Sequence, residues 1–101
     1  MSKHLDLNLE SLERQAEMLK ALAHPLRIAI ISALNTSEML AVSEIQHLLA
    51  IEQSVASHNL GILKTKGLLV SQRDGKRIRY GLKYEKLTQI IECINSCNKG
   101  L

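Results

Sequence analysis

Seven basic residues and only two acidic ones fall within residues 52–83: Lys64, Lys66, Arg73, Lys76, Arg77, Arg79 and Lys83 against Glu52 and Asp74. The remainder carries six basic and eight acidic residues, so the formal charge of +3 is concentrated in one third of the chain. Cations gathered in this way are suited to neutralising phosphates. Overlapping that third is "SVASHNLGILKTKGLL", residues 54–69, which offers Ser54, Ser57 and His58 with a bare Gly61 among them. Serine hydroxyls hydrogen-bond to several base edges, and Val55 can meet a thymine methyl group. A third set is Cys93 and Cys97, four residues apart near the end of the chain. As thiols they can answer an oxidant or a soft metal; as small groups they can simply fill space.

Catalysis finds no support in the same residues. A catalytic His58 would need a nucleophile and an orienting acid, and Glu52 is the only acid between Glu44 and Asp74. No phosphate loop, metal triad or nucleophile–base pair is visible, so the chain is not expected to be an enzyme or to hold a cofactor or metal. Among aromatic residues there are only Tyr80 and Tyr84. Single-stranded nucleic acids and RNA are commonly held by stacking on aromatic rings, so duplex DNA is the expected target.

These side chains need a scaffold, and 101 residues with a 46% hydrophobic fraction make one domain, residues 1–101. Its core must come from Leu, Ile, Val, Ala and Met, which suits helices packed on helices. The opening "MSKHLDLNLE" has no apolar h-region and no stretch approaches the length of a membrane span. Two cysteines four apart are not a secreted disulfide framework. The expected location is the cytoplasm.

Periodicity supplies the elements. Asn8 can cap a first helix with Leu9, Leu12, Ala16 and Leu19 on one face. It should end near "AHP", where Pro25 suits the first turn of a second helix, about 25–36, that is apolar nearly all round. "SEIQ", from Ser43, reads as a capping box opening a short third helix. The fourth helix runs from about 54 to 66 and stops at Gly67; its apolar side is Ala56, Leu60 and Leu63. "LLVSQRDGKRIRYGL" predicts two strands around Asp74-Gly75. A last helix, about 84–97, carries Leu87, Ile90, Ile91 and Ile94. The fold expected is mainly α with a small β-hairpin, in the order α-α-α-α-β-β-α.

Helices three and four, joined by a tight turn, read as a helix-turn-helix whose second helix presents its N-terminal residues to the major groove. The basic hairpin beside it is a wing, whose cations would meet phosphates or reach into the adjoining minor groove. The recognition set is Gln53, Ser54, Val55, Ser57 and His58, with Lys64 on the same helix and Arg73, Lys76, Arg77 and Arg79 on the wing holding phosphates.

Three stretches in order, "LKALAHPLRIAIISAL", "SVASHNLGILKTKGLL" and "RDGKRIRYGL", resemble the signature segments of the ArsR/SmtB-type winged helix-turn-helix repressors. The resemblance spans roughly residues 12–83. It implies a homodimer built through the first and last helices that represses transcription from a palindromic operator until a ligand or redox signal releases it. Two-fold symmetry predicts half-sites about 34–36 Å apart. The partners implied are duplex DNA, a second copy and an unidentified inducer or thiol oxidant, with no membrane. A winged helix used for protein–protein contact without DNA is the alternative.

The chain departs from that family in three places. Gly61 stands where a long basic or polar residue is common, so either the helix approaches the DNA backbone closely or one phosphate contact is missing. Metal-sensing members open the third helix with Cys-x-Cys, where this chain has Ala41 and Ser43, and no His follows His58 for a site on the last helix. That leaves Cys93 and Cys97: small buried fillers, a thiol switch or, across a dimer axis, a four-thiolate site for a soft metal. His24 reads as a helix-boundary residue and His47 as a surface position.

Overall fold

The structure is a computed structural model and describes residues 7–34 and 39–100. Its elements are α1 (Leu9–Leu22), α2 (Pro25–Ala33), β1 (Leu40–Ala41), α3 (Val42–Leu49), α4 (Gln53–Thr65), β2 (Leu69–Asp74), β3 (Arg77–Leu82) and α5 (Lys86–Lys99). The helical order matches the expectation, with one short strand added.

Local chemistry sets the boundaries. The Asn8 side chain caps α1 by accepting the Ser11 N–H at 3.3 Å. His24 does the same for α2: its Nδ1 accepts the Leu26 N–H at 3.1 Å, and Pro25 takes the first helical position. The boundary histidine is therefore also a cap. α2 ends at Ala33 with Leu34 as its C-cap, and the other two residues expected of it, Asn35 and Thr36, lie outside the described residues.

The start of α3 differs from the capping box expected at Ser43. Ala41 is the N-cap, which puts Glu44 three residues into the helix; its carboxylate accepts the Ala41 N–H at 2.7 Å. A carboxylate bound to an N–H near the positive end of the helix dipole is a stronger cap partner than the amide of Gln46 would be. α3 closes at Ala50, held in the left-handed region at φ +53°, and Ile51 and Glu52 complete the turn into α4. Gly67 ends the next segment at φ +82°.

The sheet is antiparallel in the order β1-β3-β2. Its hairpin turn lies one residue later than "Asp74-Gly75" suggests. Asp74 pairs with Arg77, so Gly75 and Lys76 form the loop, with Gly75 at φ +65° in the first central position where a type II′ turn takes glycine. β1, pairing Leu40 with Tyr80 and Ala41 with Arg79, is too short to leave a periodic trace in the sequence.

The core is Ile30, Ile31 and Leu34 of α2, Ile45 of α3, Leu60 and Leu63 of α4, Leu68 and Leu69 leading into β2, and Ala21, Leu22 and Leu87 around them. α1 and α5 are only partly used by it. On α1 the inward side is Ser11, Met18, Ala21 and Leu22, while the apolar stripe faces outward, Leu9 at 69% and Leu19 at 61% exposure. On α5, which starts two residues later than expected, Leu87 and Ile91 pack inward, whereas Ile90 and Ile94 are 42% and 57% exposed. A surface ion pair, Lys66 to Glu17 at 3.0 Å, ties α1 to the end of α4. The Lys66 ammonium, and then that of Lys20, holds the Glu17 carboxyl below its ordinary value of 4.5. A depressed carboxyl contributes stability above that value and loses it as pH falls through the folded-state value. Being about half exposed on both sides, the pair is screened by solvent and contributes little.

Candidate nucleic-acid interface

α4 is built to have two different sides. Ala56, Leu60 and Leu63 are fully buried, and a turn of about 100° per residue puts Ser54, His58, Gly61 and Thr65 opposite them. Ser57 and Val55 flank that outer side, and both are exposed. Ser57, His58, Gly61, Ile62, Thr65 and Lys66 line an open depression of about 440 Å³ on it. The helix N-terminus has no side-chain cap, so its first N–H groups and the positive end of its dipole are left for an outside partner.

Gly61 lies at the centre of this surface, and a Cβ placed there would meet nothing within 4 Å. The protomer itself therefore has no need of glycine at this point, while mid-helix glycine costs about 1 kcal/mol relative to alanine. Gly61→Ala is expected to stabilise the fold by about 0.5–1 kcal/mol, raising Tm in thermal unfolding by a few degrees. The same variant separates the two readings of Gly61. Weaker DNA binding follows if the helix approaches closely, and unchanged binding if a contact is merely missing.

The wing cations divide into free and committed groups. Arg73, Lys76 and Arg77 are exposed, and so is Lys64 near the end of α4. Among the described residues Arg73, Lys76 and Lys64 have no ion-pair partner, and Arg77 lies 3.8 Å from Glu44. Arg79 is engaged internally: its Nε donates to Asp74 at 3.0 Å, its Nη1 to the Met39 carbonyl at 3.4 Å, and Glu44 is 3.7 Å away. Arg79 thus braces the hairpin against the segment before α3. Glu44 serves both as the cap of α3 and as the acidic neighbour of the wing arginines.

Cys93 and Cys97 are both exposed free thiols, so within the protomer they are not buried fillers. In projection they lie within about 60° of Ile90, on the exposed side of α5. Among the described residues no group of three or more His, Cys, Asp or Glu is placed to share a metal ion. No helix among them is long and apolar enough to cross a membrane.

Two residues passed over in the sequence are central to this geometry. Arg27 of α2 donates from Nε to Asn59 Oδ1 at 3.0 Å and from Nη1 to the Ala21 carbonyl at 3.3 Å. Asn59, only 6% exposed, donates from Nδ2 to the Val55 carbonyl at 2.8 Å. The available signal was one polar residue on the buried side of each of two apolar helices, since buried polar groups need partners.

Residues 22–72 match a helix-turn-helix domain family. The transcriptional repressor PagR of Bacillus anthracis is 35% identical over 97 residues, covering 94% of this chain and 97% of that protein. The transcriptional repressor SmtB of Mycobacterium tuberculosis is 37% identical over 82 residues, 81% of this chain and 60% of that protein. A homodimeric winged helix-turn-helix DNA-binding domain from Mycobacterium bovis superposes with a TM-score of 0.80 at 27% identity, covering 98% of this chain and 91% of that one.

Proposed function

The chain belongs to the ArsR/SmtB-type family of winged helix-turn-helix repressors, and from that premise we propose that it represses transcription by binding a palindromic operator as a homodimer. The observation that carries this reading is α4 itself. Its apolar side is wholly buried and its outer side is small and polar, beside a hairpin with free cations. Gln53, Ser54, Val55, Ser57 and His58 would read base edges, and Lys64, Arg73, Lys76 and Arg77 would hold phosphates. Relatives that are named transcriptional repressors favour this reading over a module used only for protein contacts.

The second copy is the natural cover for the outward stripes of α1 and α5, where Leu9, Leu19, Ile90 and Ile94 otherwise stay in water. The dimer would then enclose Cys93 and Cys97 of both protomers along one face. That is where an oxidant or a soft metal ion would act on DNA affinity, and a repressor of this kind works in the cytoplasm.

Binding-site selection on the purified protein, with and without reductant and zinc, tests the reading. The expected result is an inverted repeat with half-site centres about 34–36 Å apart. Failure to bind any duplex at low salt would sink the DNA assignment. A Cys93→Ser/Cys97→Ser protein with the parent's affinity and the parent's response to oxidant and zinc would remove the thiols from it.

A further inference from the structure

We propose that Arg27 and Asn59 are positioning residues for DNA reading: a buried clasp that fixes the rotation of α4 about its own axis and so aims its outer side chains. This rests on the DNA-binding reading above and adds to it residues that touch no DNA.

α4 sits on the core through Ala56, Leu60 and Leu63, all of them apolar and fully buried. Such packing sets depth well, but the contact itself has no preferred direction. Among the described residues Asn59 is the one α4 side chain hydrogen-bonded to another element. Its partner is a planar guanidinium already anchored at the end of α1 through the Ala21 carbonyl. Asn59 is in turn bonded to the carbonyl of Val55, one turn earlier and within the reading segment. The chain of bonds runs from the end of α1, through α2, to the backbone that carries Val55.

The required precision is the reason a clasp matters. Side-chain tips lie roughly 5–6 Å from a helix axis, so a rotation of about 10° moves them by about 1 Å. Hydrogen bonds to nitrogen and oxygen tolerate about 0.5 Å in length. Ser54, Ser57 and His58 therefore lose their base partners if α4 turns by an angle that the apolar packing would still accept. A leucine at position 59 would pack and would favour the helix, but it would leave that angle to the core.

The experiment uses Asn59→Leu and Arg27→Lys with the parent as control, on the selected operator and on random duplex, across a salt series. Circular dichroism and sedimentation confirm that each variant is folded and dimeric. Asn59→Leu keeps a helix former on a buried side, and Arg27→Lys alters a partly exposed residue, so at least one folded variant is expected. Operator affinity should fall about tenfold, the effect of removing one base contact, while random-duplex affinity stays within about twofold and the salt slope is unchanged. The double variant should be no worse than the weaker single variant. An operator-to-random ratio equal to the parent's in folded, dimeric variants overturns the clasp. So does a shallower salt slope in a folded Arg27→Gln variant, which would make Arg27 a phosphate contact, since Arg27→Lys keeps the charge and leaves the slope as it was. A parent that binds no duplex defeats the underlying reading instead.

Discussion

Replacing Ile90 and Ile94 together by glutamate is expected to leave each protomer folded and to abolish operator binding. The two side chains are about half exposed, so a charge there stays solvated in the isolated protomer and the core, which reaches α5 at Leu87 and Ile91, is untouched. In a two-fold dimer the same substitution puts four carboxylates into the interface with no cation assigned to meet them. Each unpaired charge taken out of water costs several kcal/mol. The dimer dissociation constant should therefore rise by at least about a thousandfold. Operator binding follows, because two linked half-site contacts gain about 10²–10⁴ over one through effective concentration. Sedimentation velocity gives the oligomeric state, circular dichroism the fold, and a gel shift on the operator the affinity. A double glutamate variant that remains dimeric would take α5 out of the interface and leave its exposed isoleucines unexplained.

The same two helices show how far the sequence could be read. The spacing of Leu9, Leu12, Ala16 and Leu19 marks a helical face correctly, but a period says only that residues share a side. It does not say whether that side meets the chain's own core or a second copy. In α5 the stripe divides between the two, Leu87 and Ile91 inward and Ile90 and Ile94 outward, although all four look alike in the sequence. α4 was legible almost to the residue. Its core side, its outer side and its glycine stop are all local properties, and the structure places them as expected.

What stayed hidden depends on contacts between distant residues. Arg27 and Asn59 are 32 positions apart, and neither alone predicts the other. Arg79 looks like any other wing cation until the strand register brings Asp74, and the segment before α3, to its guanidinium. The cap of α3 fell to Glu44 because the helix starts at Val42, ahead of Ser43, and a two-residue strand at Leu40–Ala41 sets where the preceding chain must run.

That division among the wing cations makes a second result sharp. Lys76→Ala/Arg77→Ala is expected to weaken binding to every duplex alike and to flatten its salt dependence, with little change in stability. Lys76 sits in the turn, Gly75 keeps the positive φ that the turn needs, and Arg77 contributes only a loose, half-exposed approach to Glu44. The variant removes the two cations proposed to hold phosphate from each protomer and so four from the dimer, and each phosphate-binding cation adds about 0.9 to the slope of log affinity against log salt. The slope should therefore shrink by about 3.6, so that between 50 and 200 mM salt the variant loses about a hundredfold less affinity than the parent. Arg79→Ala is the informative comparison. Its guanidinium braces the hairpin through Asp74 and Met39, so its removal should lower the Tm more than Lys76→Ala/Arg77→Ala does, and change the slope less per residue removed. Preference among operator variants should survive in the Lys76/Arg77 protein, since phosphate contacts carry no sequence information, whereas Ser57→Ala should alter it. A salt slope equal to the parent's in the Lys76→Ala/Arg77→Ala protein would take the tip of the wing off the phosphates.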